Sequence, residues 1–526
     1  MHWVDVIARE LLRRGVEHVV ASGTSISGQI HIGNAGDVII ADGVARAVRE
    51  IGGRARLIWI ADDADPLRRL PKQLPAEFDA HLGKPCYSLP CPEGHPHSFV
   101  EHYVEPFVAS LARLGVRPEV RSGAEMYRKG EYEALTRVAL ERGDTIRRIL
   151  RDISGTEKAS DWLPFEPVCE RCGKIATTHA YAYRGDKVLY RCSGGVAGKM
   201  RIEGCGYEGE ADLRNGKLSW RVEWAARWKI LGVTCEPFGK EHAASGGSYD
   251  TSSVISREVF GYEPPKPVIY EHILVGGRKM SKSLGNILTV EQFLEVAPPE
   301  VLRFFFFRTR ATRHKDFDIS RNLLHLVEDY EHIERVYYGV DKPSPQEDAG
   351  DLKRSYELSQ IDKPAQTFFQ VPYTHLVTIV QLAPDFEGVK GILARNRQLD
   401  GLDDFWERKL AEKVGCVRAW VEKYAPEEHR FVLQRTVPAV RLDDAEKGLL
   451  AGLAVELSTV PWEAERIHNA IHEKGKAMGL DAARTFGAVY KVMLGKERGP
   501  RMGYFLQSLD RDWVVGRLRA AGRGLT

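Results

Sequence analysis

Between Glu17 and Asp62 the chain reads strand, helix, strand, with a loop of small residues after the first strand, and that order leaves few folds open. Glu17 to Gly23 (EHVVASG) is a short apolar run closing on glycine. Asp37 to Glu50 has helical apolar spacing, and Arg54 to Asp62 (RARLIWIAD) is a second apolar run entering an acidic loop. Such a unit makes a parallel sheet with a right-handed crossover. Further strands are expected at Pro118 to Arg121, Thr234 to Phe238 and Pro267 to Val275, around a helical stretch from Glu131 to Asp152. A doubly wound sheet interrupted by insertions fits this order, and such sheets bind ligands beyond the carboxyl ends of their strands.

A chain of 526 residues exceeds one hydrophobic core, so two to four domains are expected. Cys169 to Tyr207 is Gly-rich and punctuated by cysteines, which suggests a small knuckle. Helical periodicity returns at Glu300 to Arg308 and Ile319 to Tyr338, then Asp341 to Gly350 (DKPSPQEDAG) supplies a linker. From Leu352 onward helices are expected without alternating strands. With 43% apolar and 28% charged residues the composition is that of a globular protein, which excludes disordered and fibrous classes. The 75 Lys and Arg against 73 Asp and Glu leave a formal charge of +2, so any nucleic-acid surface must be local. Met1 to Arg14 lacks a continuous apolar core, and no run of about 20 apolar residues occurs, so a cytoplasmic protein that meets no membrane is expected.

Two strings carry the chemistry. Ser22 to Asn34 (SGTSISGQIHIGN) follows the first strand and precedes a helix, where small residues admit a ligand and a helix start offers N–H donors to phosphate. Gly276 to Asn286 (GGRKMSKSLGN) follows another apolar run and places two lysines and two hydroxyls on a glycine-rich loop, which can close over polyphosphate. Alone, the first reads as a turn with a surface histidine and the second as a solvated basic loop. Together, each at a strand's end, they point to nucleotide chemistry.

His31 to Asn34 (HIGN) resembles the HIGH signature, and Lys279 to Ser283 (KMSKS) the KMSKS signature, of class I aminoacyl-tRNA synthetases. Asn34 replaces the last histidine; it still donates a hydrogen bond but carries no charge. Residues 21–34, 60–68 (IADDADPLR), 237–242 (PFGKEH), 246–250 (GGSYD), 298–304 (PPEVLRF) and 494–505 (LGKERGPRMGYF) resemble the class I lysyl-tRNA synthetases found mostly in archaea. That resemblance implies an α/β Rossmann-like catalytic domain over 1–290 with zinc-binding insertions at about 81–105 and 165–210. A helical stem-contact region over 291–345 and an all-α anticodon-binding domain over 346–526 would follow. The implied reaction is ATP-dependent activation of L-lysine, with Mg²⁺, and transfer to the 2′-hydroxyl of the terminal adenosine of tRNA(Lys), with tRNA bound before activation, by a monomer. His31, Asn34, Lys279 and Lys282 are the expected catalytic groups, and Ser27, Gly33, Met280, Ser281 and Ser283 join His31, Asn34 and Lys282 as ATP contacts.

For lysine, the resemblance implies Gly23, Ser25, Trp220, His242 and Tyr270. A lysine pocket needs an acid for the ammonium and an apolar or aromatic wall for the methylenes. Trp220, Trp224, Phe238 and Tyr270 are candidate walls, and Glu271, Asp62 and Asp63 candidate acids, with Glu271 the expected partner. Glutamyl, cysteinyl and arginyl enzymes would share both signature strings. A nucleotidylyltransferase or a noncatalytic RNA-binding relative is the alternative from another class, which the long helical C-terminus and intact lysine loop argue against.

Eight cysteines are too dilute for a disulfide scaffold, and six fall between Cys86 and Cys205. Cys169, Cys172, Cys192 and Cys205 are expected to hold a structural zinc. Cys91, His95, His97 and His102 are expected to form a second site, at a position where the resemblance implies a Cys/His-bearing insertion. Cys235 and Cys416 are isolated and expected to be buried. Lysines and arginines at 491, 496, 498, 501, 511, 517, 519 and 523 against three acids, and Arg137, Arg142, Arg147, Arg148 and Arg151, form two local basic patches suited to phosphates.

Overall fold

A computed structural model describes residues 1–197, 200–280 and 287–524. Strands β1 (Glu17–Ser25), β2 (Arg54–Asp62), β3 (Glu119–Ser122), β4 (Cys235–Gly239) and β5 (Lys266–Tyr270) form a five-stranded sheet in the order β5-β4-β1-β2-β3. Every neighbouring pair is parallel, with Ser22 opposite Trp59 and Val20 opposite Cys235. From Leu57 to Asp62 in β2, and throughout β4, every residue is buried because helices cover both faces, which is why these runs read as continuous rather than alternating. The strand order turns back on itself at β1, and the crevice beyond β1 and β4 is therefore where a ligand is expected.

Helix α1 (Trp3–Leu12) precedes β1, and helix α2 (Ile32–Glu50) joins β1 to β2. The apolar spacing suggested a start at Asp37, but α2 begins at Ile32. His31 caps it, its ring accepting from the Gly33 N–H at 3.1 Å, while Asn34 Oδ1 accepts from the His31 N–H at 3.4 Å. These two bonds satisfy donors that a helix start leaves unpaired, so the helix extends over the signature string itself. Further along, a Cβ at Gly36 or Gly43 would fall 2.7 or 2.5 Å from the rings of Phe306 and Phe307, so α2 packs its glycine face directly on aromatic side chains. The expected helix from Glu131 to Asp152 is two helices, Glu133–Glu141 and Gly143–Ser154, broken at Arg142.

Two insertions interrupt the sheet. Helix α3 (Phe99–Arg113) closes the first. The second contains an antiparallel sheet of Thr178–Arg184, Lys187–Cys192 and Glu208–Asp212, and a hairpin of Gly195–Ala197 with Met200–Ile202. Ile202 of that hairpin is buried in the apolar cluster of the first insertion with Leu67, Phe78, Cys86 and Phe99. The Gly83 carbonyl accepts from the N–H groups of Ile175 and Ala176 at 2.8 and 3.1 Å, so the two insertions are stitched together.

The chain divides into two compact units: residues 1–292, 302–317 and 345–362, and residues 293–301, 318–344 and 363–526. Within the second unit the described elements are helical, and Leu449, Leu453, Ile467, Ile471, Val489, Val492, Phe505 and Leu518 form its core. Cys235 and Cys416 are buried as expected. No helix among the described residues is long and apolar enough to cross a membrane.

Candidate active site

The two signature strings meet. Gly276 and Gly277, at φ +57° and +74°, form a two-residue turn that only glycine adopts cheaply, and the turn pairs Leu274 with Lys279. Beyond it, Met280 is buried with its Cε 3.3 Å from where a Cβ on Gly33 would stand. On the far side of the loop, the Ile32 N–H donates to the Leu288 carbonyl at 2.8 Å. The start of α2 is thus bracketed by the residues on either side of the lysine loop. Ser281, Lys282 and Ser283 lie outside the described residues, and of Lys279 only the backbone is described. Because His31 Nδ1 accepts from Gly33, its ring proton sits on Nε2, the donor form a phosphate oxygen requires. Ser27 lies in the same loop, between β1 and α2.

Beside this junction a cavity of about 470 Å³ opens at the carboxyl ends of β1 and β4. Gly23 and Ser25 of β1, Trp220 at the start of the helix Trp220–Leu231, His242, Tyr270 and Asn34 all line it. Trp220 and Trp224 stack with centroids 5.2 Å apart, and Phe238 meets Trp224 edge-on at 5.3 Å, which builds an aromatic wall. Trp224 and Phe238 are at once core residues and lining residues.

Glu271 is not among the lining residues. Successive residues of an extended chain point to opposite sides, so with Tyr270 facing the cavity Glu271 turns away, and its carboxylate pairs with Lys240 at 2.6 Å and His314 at 3.4 Å. Asp63 accepts from the Ser122 hydroxyl at 2.6 Å and the Ala124 N–H at 2.7 Å. Asp62 lines the cavity but is held by the buried Arg227 guanidinium, which also donates to the Tyr132 hydroxyl at 3.0 Å. Asp65 in turn is paired with the buried Lys217 at 2.5 Å, and Lys217 with Glu223 at 2.7 Å.

Two lining carboxylates that sequence reasoning missed form no ion pair among the described residues, although the Asp62-held Arg227 lies within electrostatic reach of Glu236. Asp37, one turn beyond Asn34 on α2, is 8% exposed, and its Oδ1 has no hydrogen-bond partner. Burial, reinforced by Glu241 and Glu236, holds its carboxyl well above the ordinary aspartate range. Glu236 on β4 is 5% exposed and accepts from the indole N–H groups of Trp224 at 3.1 Å and Trp228 at 2.5 Å, and burial pushes its carboxyl up to about 7. A buried acid without a counter-charge is costly to keep, so a chain that places two in one cavity is suited to a cationic ligand. The available signal was the spacing of Asp37 three residues from Asn34, which sets both on one helical face.

The family model for tRNA synthetases class I (K) matches residues 1–362. This chain belongs to that family. Full-length relatives agree: the lysine–tRNA ligase of Archaeoglobus fulgidus is 41% identical, covering 99% of this chain and 100% of that one. That of Methanosphaera stadtmanae is 40% identical over 98% and 99%, and that of Methanocaldococcus jannaschii 37% over 98% and 99%. Among solved structures, a glutamate tRNA ligase from Elizabethkingia meningosepticum in complex with its amino acid is 13% identical, with a TM-score of 0.42 and coverage of 97% and 100%, a likeness too loose to bear on the site.

Two side-chain clusters in this class I chain have the make-up of metal sites. The ligating atoms of Cys169, Cys172, Cys192 and Cys205 lie within 4.8 Å of one another, with Cys169–Cys205 at 3.6 Å and Cys172–Cys192 at 3.7 Å. Four sulfurs about 2.3 Å from one tetrahedral ion stand ~3.8 Å apart, so the thiols already have nearly that spacing. Cys91, His95, His97 and His102 gather in the same way, with Cys91 Sγ 3.4 Å from His97 Nε2 and 3.6 Å from His102 Nδ1. Cys86, the remaining cysteine of that segment, sits in the apolar cluster instead.

The basic patches are largely occupied within the protein. Arg137 pairs with Asp186 and Glu133, Arg147 with Asp144, Arg148 with Glu258 and Arg151 with Asp152. Lys491 pairs with Glu446 and Lys496 with Glu427, while Arg511 and Arg517 donate to backbone carbonyls. Arg142, Arg498, Arg501, Arg519 and Arg523 have no such bonds among the described residues and are the members left for a phosphate backbone.

Proposed function

We propose that this chain is a lysine–tRNA ligase, which charges tRNA(Lys) with L-lysine at the cost of ATP. The observation that carries the choice of amino acid is the pair of buried carboxylates, Asp37 and Glu236, in an aromatic-walled cavity beside the joined signature strings. Lysine brings two ammonium groups and four methylenes, which match two acids and the Trp220 and Trp224 wall. Glutamate would bring a second carboxylate to a lining rich in acid, where Arg227 is already held by Asp62, so the glutamyl alternative is disfavoured.

Gly23, Ser25, Trp220, His242 and Tyr270 hold the amino acid in the cavity with its carboxylate free to meet the α-phosphate of ATP. In the first step a carboxylate oxygen attacks the α-phosphorus of ATP. A P–O bond forms to lysine, the α,β-bridging P–O bond breaks, and pyrophosphate leaves with the electron pair, giving lysyl-adenylate. His31 and Asn34 donate to the phosphates at the helix start, and Lys279 and Lys282 meet the charge on the leaving group together with ATP-bound Mg²⁺. In the second step the 2′-hydroxyl of the terminal adenosine attacks the adenylate carbonyl, and AMP departs while the hydroxyl proton passes to a phosphate oxygen or water. The helical second unit supplies the anticodon-binding surface.

The four thiols fit one structural zinc, and the Cys91 cluster fits a second; such ions lend stability to insertions with small cores, and no chemical step passes through them. Exchange of labelled pyrophosphate into ATP, run with each amino acid with and without total tRNA, tests the reading. Lysine alone should support exchange, and only when tRNA is present. Exchange with glutamate, cysteine or arginine in place of lysine would refute it.

A further inference from the structure

The cavity is polarised: its charged lining is mostly acidic but includes two arginines. Among the described lining residues, Arg227 is consumed by Asp62, and the only other arginine is Arg68. Arg68 makes no ion pair or hydrogen bond among the described residues, and its electrostatic neighbours are Asp65 and Glu166. Asp37 enters the cavity from α2 and Arg68 from the strap that follows β2, so the acid and the cation come from different elements. Asp65 is already paired with the buried Lys217, and Glu166 forms no ion pair or hydrogen bond with Arg68 among the described residues, so the Arg68 fork is uncommitted.

Arg68 is also held in place from behind. Its strap, residues 65–68, runs antiparallel to 83–86. The Leu67 N–H donates to the Lys84 carbonyl, the Gly83 N–H to the Leu67 carbonyl and the Cys86 N–H to the Asp65 carbonyl, each at 2.9 Å. Gly83 receives the Ile175 and Ala176 N–H groups of the cysteine knuckle, and Leu67 is fully buried in the cluster that contains Ile202. Arg68 therefore stands at the cavity edge on a fixed strap, bordering a second hollow of about 130 Å³ lined by Trp162, Phe165, Glu166 and His179.

We infer that Arg68 binds the α-carboxylate of the amino acid, and that the cysteine knuckle serves catalysis indirectly by bracing the strap that carries it. The inference rests on the lysine-activating reading. A carboxylate must approach a phosphate of the same charge before it can attack, and a guanidinium offers two parallel N–H donors to its oxygens while offsetting that repulsion. With ammonium groups received by Asp37 and Glu236 and the carboxylate by Arg68, the substrate has one orientation, its nucleophile toward the strap side.

The test compares L-lysine with L-lysinamide, which keeps both ammonium groups and the methylenes but has no carboxylate. Pyrophosphate exchange in the presence of tRNA gives the KM of lysine and of ATP and the inhibition constant of lysinamide for wild type, Arg68→Ala and Arg68→Lys. Arg68 is exposed and unpaired, so both variants keep the fold. Arg68→Ala should raise the lysine KM by roughly 10- to 150-fold, the value of a hydrogen-bonded charge. Lysinamide inhibition and the ATP KM should stay within about twofold, and Arg68→Lys should recover part of the loss. Equal weakening of lysine and lysinamide, or a rise confined to the ATP KM, would overturn the inference. Absence of lysine-dependent exchange in the wild type would instead remove the functional reading on which it stands.

Discussion

Replacing Asp37 by Asn removes one negative charge and almost no volume, so it isolates what that charge does. In the empty cavity the carboxyl is buried, its Oδ1 lacks a partner, and its affinity for a proton is raised by burial and by Glu241 and Glu236. An incoming ammonium displaces that proton and pairs with the carboxylate. Truncating one partner of a buried, hydrogen-bonded charge pair costs about 2–5 kcal/mol, which is roughly 30-fold to several thousand-fold in affinity. Asparagine still accepts a hydrogen bond, so the lower part of that range applies and the lysine KM should rise about 30- to 300-fold, with the ATP KM unchanged. The pH dependence has a definite sign. Lysine binding should tighten as pH rises through the pKa of Asp37 in the empty site, because proton release accompanies binding, and Asp37→Asn should lose that slope. Stability moves the other way. A carboxyl whose folded pKa is raised binds more protons folded than unfolded, so wild-type stability falls as pH rises above the unfolded value. At neutral pH Asp37→Asn should therefore melt no lower than wild type. A lysine KM within threefold of wild type, with its pH slope retained, would refute the assignment.

Glu236 makes a related prediction for folding alone. With its carboxyl at about 7 against an ordinary 4.5, it should cost about 3 kcal/mol of stability as pH rises from 4.5 to 7, and urea unfolding of Glu236→Gln across that range should lack this decline. Arg227→Leu should destabilise the first unit by about 3–5 kcal/mol, since it strands Asp62 in the interior while Glu223 keeps Lys217; a change under 1 kcal/mol in denaturant titrations would show that the network is relieved by water. Metal analysis should find two zinc ions per chain, with one lost in Cys172→Ala and the other in Cys91→Ala; unchanged content in either variant would remove that site.

What the sequence showed and what it hid follow from how far each feature depends on neighbours in the chain. The parallel sheet was legible because β1, α2 and β2 are consecutive and their apolar runs are local. The cysteine cluster was legible for the same reason, since a knuckle is written in spacing. The start of α2 was not: histidine is not a usual cap, and only the reciprocal bond with Asn34 makes it one. Asp37 and Glu236 escaped notice because an acid on a helix or strand is solvated far more often than buried, and their isolation depends on residues up to about two hundred positions away. Glu271 drew attention for the opposite reason, standing beside Tyr270 in the sequence while the alternation of an extended chain sends it to Lys240. The same logic explains why Arg68 has no role legible in the sequence. Its strap is fixed by Gly83, Ile175 and Ile202, three residues from both insertions, so only the folded chain shows that a cation has been delivered to the edge of a cavity otherwise built to hold cations.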